Sequence, residues 1–313
     1  MQPPGSLQKL FNGASLSLFR DYPLKEKTTW NVGGNAAYAC FPESREQLKA
    51  LFPSILRKAF SYTVLGGGSN VLVADKGFPG CVIFTEKMKT LSLLPASSEE
   101  ATIYSDSGVS LGKLLSFSLG HSLSGLEFSV GIPGSLGGAL IGNAGAQGEA
   151  IGSLVQYVDI LLPDASVQRI FGKDIHWEYR FSSLSRNPGI ILGCALKLYR
   201  ASPEILEKNL GSFTEKRKGQ PLFGKTAGSV FKNPSGKHAG RLLELSGCKG
   251  VVVGGARVSL KHANFIENYN GASAQNILDL IVLCRKKVME NTGIPLYPEV
   301  RFVGFENSEI RFT

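Results

Sequence analysis

The sequence predicts an α+β fold with more than one domain. Helical and strand-like patterns are mixed along the chain, without the steady strand–helix–strand alternation of a doubly wound parallel sheet. The 313 residues exceed what one core usually organises, so we expect two or three domains. The hydrophobic fraction of 43% is ample for a large core.

The N-terminal third of the chain is predicted to form short strands separated by glycine-rich turns. A helix is expected over 43–58, and a later strand from 101 leads into a helix over 110–119. The other strands expected in this part of the chain are 36–41, 62–65, 71–73 and 81–84.

The C-terminal part continues the mixture and ends with a long helix that begins at Ser273, a plausible N-cap. Apolar residues line one face of this helix, as expected when it packs on a core: Ile277, Leu280, Ile281, Cys284 and Val288. Shorter helices are expected over 204–218 and 241–246. Strands are expected over 154–162, 167–171, 190–199, 251–253, 264–267 and 299–303.

Composition excludes several classes of protein. The N-terminus lacks a basic start followed by an unbroken apolar run, so we expect no signal peptide. No apolar stretch approaches the roughly 20 residues that span a bilayer, so no membrane partner is expected. The cysteines are odd in number and lack a Cys-x-x-Cys pair for a metal, which predicts free, mostly buried thiols in a cytoplasmic protein: Cys40, Cys81, Cys194, Cys248 and Cys284.

The net charge of +9 is spread along the chain and is not interleaved with aromatic residues, so no nucleic-acid partner is expected. One denser basic patch is opposed only by Glu215. Its members are Lys216, Arg217, Lys218, Lys225, Lys232, Lys237 and Arg241. The patch could attract a small polyanion such as a nucleotide diphosphate, or it could be a solvated helix end followed by a loop.

Residues 219–226 match the phosphate-loop pattern G-x-x-x-x-G-K-T, but the match is only formal. A true phosphate loop leaves a buried strand and opens a helix. Here the preceding residues are Thr-Glu-Lys-Arg-Lys, which cannot form a buried strand. After the pattern, Gly228, Val230 and Pro234 disfavour a helix.

Residues 108–112 match the nucleophile elbow G-x-S-x-G, with a strand before Ser110 and a helix after it. A hydrolase triad would then need His238 or His262, and nothing marks either one. Ser110 is equally placed to cap the helix, and the preference of serine for that position favours the cap.

Two glycine-rich stretches, 65–73 and 131–145, carry the strongest signal. Glycines let backbone N–H groups approach a phosphate, and consecutive N–H groups form an anion-binding nest. The stretches are either two tight turns or a grip on the pyrophosphate of one dinucleotide, and their repetition favours the second interpretation. Gly66-x-Gly68 is followed by Val71 where a Rossmann fingerprint needs its third glycine, so that fold is not expected.

Eight motifs in succession resemble one protein family. They are TTWNVGG (28–34), LGGGSN (65–70), GLEF (125–128), GIPGSLGG (131–138), YRFS (179–182), AGSVFKNP (227–234), KHANFI (261–266) and PEVR (298–301). The sequence resembles the UDP-N-acetylenolpyruvoylglucosamine reductases, flavoenzymes that make UDP-N-acetylmuramate for bacterial peptidoglycan. The ordered matches cover about residues 28–304.

The resemblance implies non-covalent FAD, held by a two-part region of the vanillyl-alcohol-oxidase type, and an α+β domain for the UDP-sugar. The implied division is 1–88 and 89–200 for the FAD-binding subdomains and 201–297 for the substrate domain, with a C-terminal strand (298–313) returning to the first. The short interval after Arg180 resembles the compact subclass that lacks an extra tyrosine-bearing loop. The family also implies NADPH as co-substrate, and we expect a monomer.

The resemblance also implies which residues form the site. Catalysis is carried over to Arg180, Ser229 and Glu299, and substrate binding to Lys232 and Asn233. Cofactor binding is carried over to Gly66, Gly67, Gly68, Ser69, Asn70, Gly131, Gly134, Ser135, Gly137, Gly138, Asn143 and Gly145.

The implied reaction passes a hydride from NADPH to FAD N5 and then to the enolpyruvyl CH₂ carbon. Arg180 would clamp the substrate carboxylate in a bidentate way. Glu299 would polarise that carboxylate, with a pKa raised by burial beside an anion. Ser229 would protonate the carbanion, a role that needs no general base beside the serine.

Three other functions remain open from the residues alone. They are an FAD oxidase of the same superfamily with another substrate, a hydrolase built on Ser110, and a non-catalytic nucleotide-binding protein. Without the family context, Arg180 could be a surface salt bridge and Glu299 an ordinary carboxylate at a strand end.

Overall fold

A computed structural model describes residues 18–57, 61–95, 99–221 and 224–310. The chain forms two compact units. Among the described residues, the first takes in Tyr38–Gly67 and Gly80–Lys218, and the second Arg20–Ala37, Gly68–Pro79 and the chain from Gly219. The expected boundary between residues 88 and 89 lies inside the first unit, so the three-domain division stays a prediction.

The described residues contain six α-helices. In chain order these are α1 (Arg45–Arg57), α2 (Leu111–Gly120), α3 (Leu136–Gly142), α4 (Pro203–Glu215), α5 (Ala239–Leu245) and α6 (Ala274–Thr292). No helix among the described residues combines the length and the apolar character needed to cross a membrane.

The strands are mostly short. In chain order they are β1 (Leu18–Pro23), β2 (Asn35–Cys40), β3 (Tyr62–Leu65), β4 (Val71–Val73), β5 (Phe78–Phe84), β6 (Leu91–Leu94), β7 (Glu100–Asp106), β8 (Leu123–Ser124), β9 (Gly145–Ala146), β10 (Glu149–Ala150), β11 (Val155–Leu161), β12 (Val167–Phe171), β13 (Trp177–Glu178), β14 (Phe181–Ser182), β15 (Ile190–Arg200), β16 (Val252–Val253), β17 (Ala256–Val258), β18 (Ile266–Asn268) and β19 (Arg301–Val303).

The main sheet of the first unit has the antiparallel order β12-β11-β15-β7-β6, with β8 added beside β15. Strand β15 is buried over most of its eleven residues because it lies between β11 and β7. Helices α2 and α3 cover one face and bury Leu114 and Leu140 in the same core as Leu196. An uninterrupted apolar run is the expected sequence of such a central strand.

A second sheet with the order β1-β2-β5-β3 carries helix α1. Strands β3 and β5 are parallel, with Tyr62 opposite Cys81. Leu48, Leu51 and Phe52 of α1 are fully or almost fully buried in the core that also contains Cys81. The i, i+3, i+4 spacing of these three residues explains why the segment forms an amphipathic helix despite Pro53 in its interior.

The second unit packs α6 on the three-stranded antiparallel sheet β16-β17-β18. The predicted apolar face of α6 is buried in this core, together with Trp30, whose indole Nε1–H donates to the Ile266 carbonyl (2.7 Å). Strand β19 runs parallel to β4, with Arg301 opposite Val71. The C-terminal strand therefore pairs with an early strand of the chain, and its expected return to the first subdomain stays a prediction.

Most predicted elements are confirmed within one to three residues. Helix α3 is the main correction, because residues 131–145 were expected to be a loop. Three glycines lower the helix propensity of α3, but Leu136, Ala139 and Leu140 have helical spacing and are buried in the core of the first unit. Burial therefore overrides local propensity here. The N-terminal leader prediction, the expected helix end at residue 58 and positions 222–223 fall outside the described residues.

The start of α6 is capped twice. Ser273 and Asn276 form a capping box, which confirms the predicted N-cap. The Asp75 carboxylate, 199 residues earlier, accepts from the Ala274 N–H (2.8 Å) and the Gln275 N–H (2.9 Å). These bonds satisfy free amides at the positive end of the helix dipole.

We expect Asp75→Ala to destabilise the protein by about 1–2 kcal/mol, since two amides of α6 lose their acceptor. Asp75→Asn keeps an acceptor but removes the charge, so its loss should be smaller. Urea unfolding of the two variants beside wild type measures the difference. Equal stability of Asp75→Ala and wild type would contradict the capping role.

Candidate active site

The two predicted glycine stretches meet in the first unit. A Cβ on Gly66 would lie 1.9 Å from Ser135 Oγ, and a Cβ on Gly67 would lie 2.9 Å from the Gly134 Cα atom. The neighbour of Gly67 is backbone, so this position requires glycine, whereas a side chain at Gly66 would force the Ser135 side chain to move. We call Gly66, Gly67, Gly134 and Ser135 the glycine cradle.

Backbone pairing fixes the start of α3 beside the cradle. The Leu136 N–H donates to the Val109 carbonyl (2.8 Å), and the Gly137 N–H donates to the Ser107 carbonyl (2.8 Å). These two N–H groups are therefore not available for the anion nest that the sequence suggested. Gly137 is nevertheless tightly placed, because a Cβ there would lie 3.0 Å from Ser107 Cβ.

Two buried hydroxyls near α3 have unused hydrogen-bonding capacity. Neither Ser107 Oγ nor Ser135 Oγ has a hydrogen-bond partner among the described residues, although both serines are buried. Buried polar atoms are nearly always paired, so orphaned hydroxyls call for a missing partner. Bare glycine backbone with unsatisfied hydroxyls suits the phosphates of a dinucleotide.

Residues 68–70 belong to the second unit and have tight local geometry. Gly68 has φ +59°, and a Cβ there would lie 1.9 Å from the Lys27 carbonyl oxygen. The Asn70 side-chain amide donates to the Glu299 carbonyl (3.1 Å), and the Arg301 N–H donates to the Asn70 carbonyl (3.1 Å). Asn70 therefore holds the backbone of Glu299, while its expected contact with the cofactor stays a prediction, as does that of half-buried Ser69.

Arg180 lies in the tight turn between β13 and β14. Its φ of +56° is in the left-handed region, which is uncommon for a residue with a side chain and is often found at functional sites. The Arg180 guanidinium donates through Nη1 to the Gly145 carbonyl (2.9 Å). The turn therefore places its guanidinium at the end of the second glycine stretch.

The C-terminal end of α3 holds the Arg180 turn in place. Ser182 Oγ donates to the Leu140 carbonyl (2.7 Å), a carbonyl in the last turn of α3. Asn143, at φ +43°, ends the helix and donates through Nδ2 to the Glu178 carbonyl (2.9 Å). Asn143 was expected to bind the cofactor, and its side chain braces the backbone beside Arg180.

Arg217 is a second cation near this turn. Its guanidinium donates to the Val130 carbonyl and lies over Gly131, where a Cβ would be 3.8 Å away. Burial, and next the positive charge of Arg180, lower the pKa of Arg217. Two mutually repelling guanidiniums would be stabilised by an anion. The sequence placed Arg217 only in the basic patch, because no motif includes it.

The second unit positions Ser229 and Glu299 on paired backbone. The Glu299 N–H donates to the Val230 carbonyl (2.7 Å), and the Lys232 N–H donates to the Tyr297 carbonyl (2.9 Å). Ser229, Lys232 and Glu299 are half-buried. This pairing brings the predicted proton donor and the predicted carboxyl group to neighbouring backbone positions.

Asn233 is exposed, and its side-chain carbonyl accepts from the Ala239 N–H at the start of α5 (2.9 Å). This contact fixes the end of the AGSVFKNP segment to the next helix. The binding of substrate by Lys232 and Asn233 stays a prediction.

The nucleophile-elbow match at 108–112 and the phosphate-loop match at 219–226 have other structural explanations. Ser110 Oγ accepts from the Lys113 N–H (3.2 Å), which confirms the N-cap interpretation. Lys225 and Thr226 pair with Asn268 and Glu267 of β18 in a strand-like manner and do not begin a helix. The segment therefore lacks the structure of a phosphate loop, as the sequence analysis predicted. The five cysteines are free and buried, as predicted.

Comparison with known proteins gives matches along almost the whole chain. A family model described as FAD binding domain matches residues 36–170, and one described as UDP-N-acetylenolpyruvoylglucosamine reductase, C-terminal domain, matches residues 220–303. The first match agrees with the position of Gly66, Gly67, Gly134 and Ser135.

The relatives carry the same description. The UDP-N-acetylenolpyruvoylglucosamine reductase of Heliobacterium modesticaldum is 38% identical over 92% of this chain and 91% of its own length. That of Caldanaerobacter subterraneus subsp. tengcongensis is 36% identical over 92% and 94%. The crystal structure of the enzyme from Thermus caldophilus is 34% identical, has a TM-score of 0.78, and covers 92% of this chain and 98% of that one. The predicted α+β, FAD-binding fold class is confirmed.

We expect Gly67→Ala to lower the affinity for FAD about tenfold or more, because the added Cβ forces the cradle apart and disturbs hydrogen bonds worth about 1.5–3 kcal/mol each. Gly142→Ala is the matched control from α3, since no described atom lies within 4 Å of a Cβ there. Flavin absorbance per mole of purified protein and FAD titration of the apoprotein measure the effect. Equal FAD affinity of the two variants would show that the cradle does not touch the cofactor.

Proposed function

Because the chain belongs to the UDP-N-acetylenolpyruvoylglucosamine reductase family, we propose that it reduces UDP-N-acetylglucosamine enolpyruvate to UDP-N-acetylmuramate with NADPH as the reductant. The product is a precursor of peptidoglycan, and the protein is an FAD-containing oxidoreductase. The observation that carries the proposal is similarity at 36–38% identity over 92% of the chain, together with a cradle that suits a dinucleotide.

The cradle fits the pyrophosphate of FAD. Gly66, Gly67 and Gly134 would let the phosphates approach the backbone, and the hydroxyls of Ser107 and Ser135 would supply the missing partners. Bound FAD supplies hydride transfer between the nicotinamide and the enolpyruvyl carbon. We also assign Gly68, Ser69 and Asn70 of the first glycine stretch to its binding. The residues assigned from the second stretch are Gly131, Gly134, Ser135, Gly137, Gly138, Asn143 and Gly145.

Arg180 is the proposed ligand of the substrate carboxylate. Negative charge spreads into this carboxylate when the neighbouring carbon gains a pair of electrons, and a planar guanidinium can accept that charge with two parallel hydrogen bonds. The strained turn and its hydrogen bonds to residues 140–145 pre-organise the side chain. Arg217 adds positive charge in the same unit and strengthens the attraction for an anion.

Ser229 is the proposed proton donor to the carbanion. A hydroxyl is a weak acid in water, but a carbanion is a far stronger base than an alkoxide, so no histidine is needed beside it. Glu299 is proposed to donate a hydrogen bond from its protonated form to the carboxylate. Lys232 and Asn233 are proposed to bind the diphosphate of the UDP-sugar.

The absorbance spectrum of the purified protein is the direct test of this function. We expect flavin bands that NADPH bleaches under anaerobic conditions and that the enolpyruvyl sugar nucleotide restores. A protein that takes up no FAD would overturn the proposal. Bleaching that only oxygen reverses would favour an FAD oxidase with another substrate.

We expect Ser229→Ala to leave flavin reduction by NADPH nearly unchanged and to slow flavin reoxidation by the sugar nucleotide about 100-fold or more, since a general acid contributes on that scale. Ser235→Ala, at an exposed serine of the same segment, is the control. Anaerobic stopped-flow absorbance separates the two half-reactions. If both slow equally in Ser229→Ala, the proton-donor role is wrong.

A further inference from the structure

Asn264 clamps the backbone two residues after Ser229. Its Oδ1 accepts from the Phe231 N–H (2.9 Å), and its Nδ2 donates to the Phe231 carbonyl (2.9 Å). The Asn264 carbonyl also accepts from the Val230 N–H (2.8 Å). The residue is 4% exposed, so water does not compete for these bonds. One buried residue therefore satisfies three of the four backbone polar groups of Val230 and Phe231, in the segment that carries Ser229.

Before Ser229, Thr226 pairs with Glu267 of β18 and Ala227 is buried, so the residue that separates this support from Ser229 is Gly228. Gly228 has φ +75°, and no described atom lies within 4 Å of the position of a Cβ there. After Ser229, the Val230 carbonyl accepts from the Glu299 N–H. The backbone directly after Ser229 is therefore held by Asn264, through Val230 and Phe231, and by the Glu299 N–H.

Asn264 is itself fixed by its own turn. Its N–H donates to His262 Nδ1 (3.2 Å), and the Phe265 N–H donates to the His262 carbonyl (3.0 Å). Burial lowers the pKa of His262, which keeps the ring neutral and Nδ1 able to accept. The clamp therefore rests on a closed turn and not on a mobile side chain.

We propose that Asn264 is the positioning residue that holds the Ser229 hydroxyl where it can protonate the reacting carbon. The inference rests on the proposed function, because it assigns Asn264 to the same step as Ser229. An amide presents one donor and one acceptor to a single peptide unit. A carboxylate at the same position would place an anionic oxygen against the Phe231 carbonyl and push the segment away.

Asn264→Asp tests the proposal in the FAD-loaded protein, with Asn268→Asp as the matched control. Asn268 is also buried (8% exposed), donates through Nδ2 to the Trp30 carbonyl (2.9 Å) and accepts from the Ala272 N–H (2.8 Å), so it clamps other parts of the second unit. We expect similar losses of thermal stability in both variants. Only Asn264→Asp should slow flavin reoxidation by the sugar nucleotide, by about 10- to 100-fold.

The rate lost in Asn264→Asp should return as the pH falls. Burial raises the pKa of the introduced carboxyl, and the protonated form again donates to the Phe231 carbonyl. Relative to wild type, reoxidation should therefore be slowest near about pH 8 and recover towards about pH 6. A loss of stability alone would not give this recovery.

If Asn264→Asp and Asn268→Asp slow reoxidation equally, or if the loss does not depend on pH, the positioning role is overturned while the reductase function stands. If wild type shows no reoxidation by the sugar nucleotide, the proposed function is wrong. If Ser229→Ala does not slow reoxidation, the role of Ser229 is wrong. In either case the inference about Asn264 is also overturned. Should Asn264→Asp not bind FAD, Asn264→Gln beside Asn268→Gln applies the same comparison.

Discussion

Helix α3 has to bury one face against the main sheet while it leaves glycine backbone bare at its start, and the first unit is arranged around that requirement. A seven-residue helix with three glycines would not be stable alone. Leu136 and Leu140 supply the burial, and backbone bonds to residues 107 and 109 fix its first turn.

The same helix connects the glycine cradle with the placement of Arg180. Its last carbonyls are satisfied by Ser182, and its C-cap residue Asn143 holds the Glu178 carbonyl. Arg180 lies between these two attachment points and is kept in a strained conformation. In the second unit, the segment 229–232 is supported in a corresponding way by hydrogen bonds to residues 264, 297 and 299. Each unit thus holds the backbone beside a residue with a proposed role in catalysis, Arg180 in the first and Ser229 in the second.

Local sequence predicted the elements whose signal lies within the element itself. Apolar runs such as 190–199 gave strands, and Ser110 and Ser273 gave helix starts through their side chains. Helix α3 was missed because its three glycines have low helix propensity, and the burial that stabilises it is evident only once the sheet is known. Arg217 was missed because its place near the site is evident only beside Arg180, 37 residues earlier, and the fold brings these two charges together. The eight ordered motifs nominated the site residues, but distances between side chains, such as those around Asn264, could only come from the structure.

The bond between Trp30 and Ile266 joins residues 236 positions apart, and it has a consequence for synthesis on the ribosome. Residues 20–37 and 68–79 belong to a unit whose other part begins at residue 219. These early segments must therefore wait on the order of ten seconds at bacterial translation rates before their partners emerge. During that interval the Trp30 indole lacks its acceptor and strand β4 lacks its partner β19, although both are buried in the folded protein.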